Sequence, residues 1–285
     1  MQDRIVSFVL CGGVGSRLWP LSREDNPKQF HDFSGRGSML AQTLRRLGAR
    51  PRGATPVFLI AAEHHADRLR HEPATTDLAD GHVIFEPVGR NTAAAVAVAT
   101  RHTLEAFGDD LVLIVPSDHE ILTEGQFWQS VEAGATAAEA GHFVVFGIRP
   151  TKAETGYGYI EAGEAIIAPS TRSVRRFVEK PDRATAQAYV EAGNFFWNAG
   201  IFLFRASSMR DAFRAFAPEI WRGAEAALGS ARSDPAGLRL PLDIYAKIPS
   251  ISIDYAVMER AAPIAMVPAA FRWNDLGSWQ SLLES

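Results

Sequence analysis

A short glycine-rich segment with two cations is the part of this sequence best suited to chemistry. Gly12, Gly13 and Gly15 directly follow an apolar run, and Arg17 and Lys28 come shortly after them. Glycine has no Cβ, so the backbone can approach a ligand closely and present its N–H groups. Bare N–H groups together with fixed positive charges are what a polyphosphate requires. The segment therefore predicts a nucleotide-phosphate site.

Two widespread glycine-loop motifs do not account for this segment. A Walker A loop ends in Gly-Lys-Ser or Gly-Lys-Thr, and no glycine of this sequence is followed in that way. A Rossmann dinucleotide fingerprint needs a third glycine where Leu18 stands, and no acidic residue ends a second strand to bind a ribose. A tight turn alone would explain one or two glycines, but it would not explain the two cations.

Several polar residues elsewhere have both a functional and a plain structural interpretation. Asp118 follows the apolar run 111–115, and ligands of open α/β sheets lie beyond the carboxyl ends of the strands. Asp118 is equally explained as a helix cap or turn residue, and 274–277 as a turn. Lys180 could simply be a surface lysine before a proline, and residues 198–200 could form a hairpin-like turn.

Composition limits the class of protein. The chain has 285 residues, of which 47% are hydrophobic and 22% charged, as in an ordinary globular protein. A formal charge of −4 argues against nucleic acid as a partner. Cys11 is the only cysteine, which excludes an intrachain disulfide and fits a reducing cytoplasm. No apolar run approaches the roughly 20 residues of a membrane span, and we expect no signal peptide before the first strand.

The elements that must position these residues alternate through the first half of the chain. Apolar runs predict strands over 5–10, 57–61, 83–86, 111–115 and 143–147, and helical patterns cover 38–48, 63–70, 92–107 and 124–140. Ser38 and Asn91 are the expected helix caps. This alternation predicts an α/β protein with an open, mostly parallel, Rossmann-like sheet and helices on both faces.

The second half is less regular but is expected to extend the same sheet. Strands are predicted over 159–161, 174–179, 200–204 and 264–267, and helices over 183–192, 207–216 and 255–260. The segment 223–248 has no clear pattern and stays unassigned. We therefore predict one domain over residues 1–285.

Seven motifs in order carry a resemblance to a known family. They lie at 12–30, 85–93, 115–119, 155–160, 177–181, 197–202 and 273–279, and include Phe-Val-Glu-Lys-Pro and Trp-Asn-Asp-Leu-Gly-Ser-Trp. Together they resemble the sugar-1-phosphate nucleotidyltransferases, in particular the bacterial mannose-1-phosphate guanylyltransferase branch. Any one of the motifs is weak evidence, whereas seven in the same order are highly specific.

The resemblance implies a fold, a reaction and a site. The fold would be of the nucleotide-diphospho-sugar transferase type, with 1–150 mainly binding nucleotide and 151–285 mainly binding sugar phosphate. The reaction would transfer GMP from GTP to α-D-mannose 1-phosphate, giving GDP-mannose and pyrophosphate. Mg²⁺ would be the cofactor, held by Asp118 and Asp275. The residues implied in catalysis are Arg17, Lys28, Asp118, Lys180 and Asp275. Those implied in substrate binding are Gly12, Gly13, Gly15, Ser16, Glu86, Pro87, Gly89, Asn91, Gly158, Glu179 and Asn198.

The same resemblance leaves alternatives open. UTP or dTTP with glucose 1-phosphate would keep the chemistry and change the substrates. A nucleotide-sugar sensor that binds without catalysis would be favoured by loss of Lys28, Asp118 or Asp275, but all three are present. The partners implied are the two substrates, with no nucleic acid or membrane, and a homodimer stays open. Proteins of this kind usually continue past the last motif, so a C-terminal domain is expected to be absent here.

Overall fold

Alternating apolar runs and helical segments build one large sheet with helices on both faces. The computed structural model describes residues 4–13, 16–51, 53, 55–75, 78 and 82–283. Its strands are β1 Ile5–Cys11, β2 Val57–Ala62, β3 Val83–Glu86, β4 Leu111–Pro116, β5 Glu120–Ile121, β6 Phe143–Ile148, β7 Gly158–Ile166, β8 Ala168–Glu179, β9 Phe195–Arg205, β10 Arg232–Asp234, β11 Gly237–Arg239, β12 Ile264–Pro268 and β13 Trp273–Asn274. Its α-helices are α1 Met39–Gly48, α2 Ala66–Arg70, α3 Asn91–Ala106, α4 Glu124–Glu139, α5 Arg183–Ala192, α6 Ala206–Phe216, α7 Pro218–Gly229, α8 Leu242–Tyr245 and α9 Trp279–Leu283.

The strand order is β10-β11-β3-β2-β1-β4-β9-β6-β12-β8-β7, and β5 and β13 form a separate small sheet. Strands β11, β3, β2, β1 and β4 pair in parallel, as do β6 and β12. Strand β9 is antiparallel to both β4 and β6, and β8 is antiparallel to β7 and β12. The expected open α/β sheet is therefore confirmed, but it is mixed rather than mostly parallel. Among the described residues, five of its strand pairings are parallel and six are antiparallel, and the antiparallel ones all involve strands of the second half.

Side chains of the central strands alternate between two cores, because successive residues of a strand point to opposite faces. Phe8 and Val112 pack in a core with the alanine-rich helix α3 and with α6 and α7. Val9 and Leu113 pack in a second core with α1 and α4. The predicted helices on both faces are thus present, and they bury both faces of the central strands.

The register of the parallel strands brings their carboxyl ends to one edge. Leu10 of β1 pairs with Pro116 of β4 on one side, and Ala62 of β2 pairs with Glu86 on the next strand. Glu86 ends β3 at this edge, and the loops after β1 and β4 carry Gly12 and Asp118. Their proximity follows from pairing that joins residues far apart in sequence.

Of the two predicted helix caps, Ser38 caps its helix, whereas Asn91 is the first residue of its helix. The Ser38 hydroxyl accepts the N–H of Ala41 at 3.0 Å and caps α1, as predicted. Helix α3 begins one residue earlier than predicted, at Asn91 itself, whose φ is 59°. The Asn91 side chain accepts the adjacent N–H of Thr92 at 2.8 Å.

The second half differs most from the sequence prediction. Strands β7 and β8 form a long antiparallel pair whose outer part escaped prediction, because most of β8 is polar and only partly buried. The unassigned stretch 223–248 contains the end of α7, the hairpin β10–β11 and α8. Among the described residues, no helix combines the length and apolar character needed to span a membrane.

Candidate active site

A cavity of about 530 Å³ opens at the carboxyl ends of the parallel strands. Six of the residues implied by the resemblance line it, which are Gly12, Gly13, Glu86, Gly89, Asn91 and Asp118. The second half of the chain also contributes, through Gly200, Ser250 and Asp254 among others. Gly15 lies outside the described residues, as does the side chain of Ser16.

Lys28 joins the two predicted metal-binding aspartates. Its ammonium donates to Asp118 Oδ2 at 3.0 Å and also to the backbone oxygen of Asp275. The Lys28 side chain is only 4% exposed, so this charge is held away from water. Asp118 and Asp275 are therefore brought to one place although they are distant in sequence.

A small sheet explains how the two aspartates meet. Strand β13 pairs antiparallel with β5, placing Trp273 opposite Ile121 and Asn274 opposite Glu120. Because β5 directly follows the Asp118 loop and β13 directly precedes Asp275, this pairing fixes the two loops together. Trp273 adds a bond between them, since its Nε1–H donates to His119 Nδ1 at 3.1 Å.

The Asp275 loop is both a turn and part of the site. Its Oδ1 accepts the N–H of Gly277 at 3.0 Å and the hydroxyl of Tyr157 at 2.5 Å. A Cβ added at Gly277 would lie 2.3 Å from Asp275 Oδ2, so glycine is required for this turn. Arg17 approaches the same carboxylate oxygen at 3.8 Å, with its own side chain 67% exposed.

The local charges set the protonation states of this cluster. Burial raises the pKa of Asp118, but Lys28 and His119 beside it lower it more, so it lies below its usual value. Burial lowers the pKa of His119 to about 4, which keeps its ring neutral at neutral pH. Burial and the nearby Asp275 raise the pKa of Tyr157, which therefore stays a hydrogen-bond donor. The aspartate at 118 is ionised and its neighbours stabilise it.

The donor set fits a hard divalent cation that also binds phosphate. The loops that carry the two carboxylates share one ammonium group, that of Lys28. Within the described parts of the chain, no group of three or more His, Cys, Asp or Glu side chains could surround a metal ion. A ligand set of one or two carboxylates completed by phosphate oxygens and water is the one that Mg²⁺ prefers.

The residues predicted for the sugar lie together in a second cluster. A Cβ added at Gly158 would lie 2.6 Å from Glu179 Oε2 and 3.4 Å from Asn198 Cβ, so the absence of a side chain makes room for that carboxylate. Lys180, at a φ of 48°, donates to Glu179 Oε1 at 2.8 Å. Asn198 lies inside β9, so the alternative of a hairpin turn there is wrong.

Glu86 is held at the other end of the cavity by a residue from the second half. It is 6% exposed, and the hydroxyl of the fully buried Tyr245 donates to its Oε1. Its other oxygen lies 3.9 Å from the position of a Cβ added at Gly12, the first glycine of the loop. Arg90 lines the same cavity and donates to the backbone oxygen of Ala246, next to Tyr245. One carboxylate oxygen is thus fixed by Tyr245 while the other lies toward the glycine loop.

Replacing Glu86 by glutamine is expected to change how stability depends on pH. Burial raises the pKa of Glu86 from 4.5 to about 7, so the folded protein keeps a proton that the unfolded chain releases. The retained proton therefore favours the folded state. Its contribution to the free energy of unfolding is complete below pH 4.5 and is lost as the pH rises through 7. From about pH 5 to about pH 8 the wild type should lose roughly 2–3 kcal/mol more free energy of unfolding than Glu86→Gln. Urea unfolding at both pH values measures this, and parallel pH profiles would contradict it.

Sequence reasoning missed three side chains of the site. Tyr157 lies in a motif that was recognised, but only Gly158 was singled out there. Tyr245 lies in the stretch that could not be assigned, and Asp254 directly precedes the helix predicted over 255–260. Of these three residues, Asp254 lines the cavity, whereas Tyr157 contacts Asp275 and Tyr245 contacts Glu86. No local spacing predicts these contacts, because each joins segments that are distant in sequence. Pro87 is not among the residues that line the cavity.

Solved structures share this fold over nearly the whole chain. A protein described as mannose-1-phosphate geranyltransferase from Thermus thermophilus superposes with a TM-score of 0.85 at 32% identity, covering 100% of this chain and 80% of that one. A protein described as mannose-6-phosphate isomerase from Helicobacter pylori gives 0.80 at 25% identity, covering 95% of this chain and 99% of that one. The fold is thus that of an α/β nucleotide-sugar transferase, as the sequence predicted.

Sequence comparison assigns the family. The profile of the nucleotidyl transferase family matches residues 6–285, and the chain belongs to that family. Xanthan biosynthesis protein XanB of Xanthomonas campestris is 45% identical over 284 residues, which are 100% of this chain and 60% of that protein. Mannose-1-phosphate guanylyltransferase of Salmonella muenchen is 42% identical over 283 residues, 99% of this chain and 59% of that protein. The chain spans about three fifths of the length of these relatives.

Proposed function

We propose that this chain transfers GMP from GTP to α-D-mannose 1-phosphate, releasing pyrophosphate and forming GDP-mannose. The observation that carries the proposal is Lys28, whose ammonium contacts both aspartate loops at the cavity that the first two glycines line. Such a cluster of fixed charges is suited to two anionic substrates. The similarity to proteins named mannose-1-phosphate guanylyltransferase supports the choice of substrates.

The reaction needs alignment and charge neutralisation more than it needs a base. An oxygen of the sugar phosphate is already anionic, so it can attack the α-phosphorus of GTP without losing a proton. The oxygen–phosphorus bond to pyrophosphate breaks as the new one forms, and the electron pair leaves with pyrophosphate. The enzyme has to hold two mutually repelling anions in line and stabilise the charge at the transition state.

The cationic side chains of the site would stabilise different phosphate groups. Lys28 and Arg17 would stabilise the leaving pyrophosphate, and Lys180 would hold the phosphate of the sugar. Mg²⁺, when bound by Asp118 and Asp275, would supply Lewis-acid stabilisation and a template for the two phosphates. Tyr157 and Gly277 hold the Asp275 carboxylate in place for that purpose.

The two halves of the chain would bind the two substrates. The glycine loop and the stretch from Glu86 to Asn91 would bind GTP, and Gly158, Glu179 and Asn198 would bind the hexose. The division is not strict, because Tyr245 of the second half holds Glu86 of the first.

Pyrophosphate release tests this function directly. The protein is incubated with Mg²⁺ and each pair of GTP, ATP, UTP or dTTP with mannose 1-phosphate or glucose 1-phosphate. Release specific to GTP and mannose 1-phosphate is the expected result. Release with UTP or dTTP and glucose 1-phosphate would keep the chemistry and overturn the substrates. Nucleotide binding without release on any pair would favour the sensor.

Gly158→Ala is expected to impair use of the sugar phosphate and to spare GTP. The added methyl would displace the Glu179 carboxylate, and kcat/KM for mannose 1-phosphate should fall about tenfold, as for the loss of one hydrogen bond. Gly125→Ala is a matched control, because a Cβ there meets nothing within 4 Å. Steady-state kinetics with each substrate varied in turn measures the effect. An equal loss in both variants, or a rise only in the KM for GTP, would contradict this role of Gly158.

A further inference from the structure

Asp254 lies between the cavity and the cluster of residues predicted to bind the sugar. It begins a short π-helix over Asp254–Met258, a form of helix that is frequent at functional sites. The preceding residue is anchored, since the N–H of Ile253 donates to Thr92 Oγ1 at 2.8 Å at the start of α3. Asp254 lines the cavity together with Gly12 and Asp118, and its carboxylate contacts Asn198 of the sugar cluster.

The carboxylate of Asp254 has far fewer partners than it can accept. Within the described residues, its one hydrogen bond from another side chain comes from Asn198 Nδ2 at 3.2 Å, and the backbone N–H of Asp254 itself is a further donor. An ionised carboxylate offers about four acceptor sites. Burial, followed by the nearby charge of Glu179, raises the pKa of Asp254 to about 7. Without a ligand, the surroundings of Asp254 therefore disfavour the negative charge of its carboxylate.

The neighbouring groups indicate which ligand would supply the missing donors. Asn198 uses its amide oxygen on the N–H of Gly200 and one of the two N–H groups of its amide nitrogen on Asp254. Glu179 is an acceptor and is already paired with Lys180. Two carboxylates beside one amide are suited to neutral groups that carry several hydroxyls. A hexose has such groups, whereas a phosphate would be attracted to Lys180 and repelled by the two carboxylates.

We propose that Asp254 is a further sugar-binding residue, which accepts a hydrogen bond from one hydroxyl of the hexose next to the groups contacted by Glu179 and Asn198. The proposal rests on the proposed function, because it takes the hexose of a sugar 1-phosphate as the ligand. It extends the sugar site to a segment whose Ser250, Ile253 and Asp254 line the cavity. Asp254 would thus contribute to specificity for the sugar, and it would not take part in the transfer of the nucleotidyl group.

Asp254→Asn tests this with deoxy analogues of the sugar. Asparagine keeps the shape and an oxygen that can accept from Asn198, but it removes the charge. With mannose 1-phosphate, kcat/KM should fall about 10- to 100-fold, as for the loss of a hydrogen bond to a charged group, while the KM for GTP changes less than about twofold. With one of the 2-, 3-, 4- or 6-deoxy mannose 1-phosphates, the variant and the wild type should have the same kcat/KM. That analogue lacks the hydroxyl that Asp254 binds.

Controls separate this role from a purely structural one. Glu259→Gln removes an exposed carboxylate just after the same π-helix and should behave as the wild type with every analogue. Thermal unfolding and calorimetric GTP binding show whether each variant keeps its fold and its nucleotide site. Asp254→Ser, which keeps an oxygen acceptor, provides the same comparison if the asparagine variant does not fold.

Three results would overturn the proposal. One is an unchanged kcat/KM for mannose 1-phosphate in Asp254→Asn. Another is an equal loss with mannose 1-phosphate and all its deoxy analogues, which indicates a structural role only. The third is an effect that disappears with 2′- or 3′-deoxy GTP, which assigns Asp254 to the ribose. Absence of turnover in the wild type with any sugar phosphate would instead contradict the proposed function.

Discussion

Lys28→Ala is expected to lower turnover by at least about a hundredfold while leaving the fold intact. The Lys28 ammonium is almost fully buried and contacts both aspartate loops, so no other described side chain can take its place without rearrangement. Removing one preorganised charge from such a site commonly costs roughly 2–4 kcal/mol of transition-state stabilisation. Each 1.4 kcal/mol is about tenfold in rate. Pyrophosphate release at saturating GTP and mannose 1-phosphate measures the loss.

The control for this prediction is another lysine of the same chain. Lys247 is exposed after α8, and Lys247→Ala should keep the wild-type rate. Circular dichroism and thermal unfolding of both variants separate lost chemistry from lost structure. A folded Lys28→Ala with the wild-type turnover would refute the role assigned to this lysine.

Asp118→Asn is expected to reduce turnover by at least about a hundredfold and to weaken Mg²⁺ binding. Asparagine keeps the size of the side chain but removes the negative charge that Lys28 and the neighbouring groups stabilise. A carboxylate is a much stronger ligand for a hard cation than an amide oxygen, and one of the two proposed ligands is lost. The magnitude again corresponds to roughly 2–4 kcal/mol of transition-state stabilisation.

Two measurements distinguish metal binding from other roles of Asp118. Titration calorimetry with MgCl₂ and GTP should show weaker metal binding in Asp118→Asn than in the wild type. Turnover of the variant should require a higher Mg²⁺ concentration, whereas Asp243→Asn, an exposed aspartate at the start of α8, should match the wild type. Identical Mg²⁺ dependence in Asp118→Asn and the wild type would argue against Asp118 as a metal ligand.

The first half of the fold was the more predictable part because its signals are local. Strands β1, β2, β3, β4 and β6 are short apolar runs, and a run covered on both faces looks the same wherever it lies in the sheet. Ser38 caps α1 through contacts within a few residues. The strands β10 and β11 lack such signals, since their position depends on pairing of β11 with β3, far away in the sequence.

Some features of the candidate site could likewise be predicted from local sequence, whereas others depend on contacts between distant segments. The glycine loop and Lys28 are recognisable from residue types alone, because a phosphate site needs free N–H groups and cations close together in the chain. Asp118 was singled out over a plain cap or turn residue only by the family resemblance. The contact of Lys28 with Asp275 depends on the pairing of β5 with β13. The placement of Tyr245 against Glu86 and of Asp254 against Asn198 depends on packing between distant segments.

The sequence by itself determined the family, the alternation of strands and helices, and the residue types of the proposed phosphate and sugar sites. These features are encoded by local spacing and by motifs in a fixed order. Only the tertiary structure decided which side chains meet, and it added Tyr157, Tyr245 and Asp254 to the site. The physical reason is that burial, hydrogen bonding and pKa depend on neighbours in space, and those neighbours come from elements that no local pattern connects.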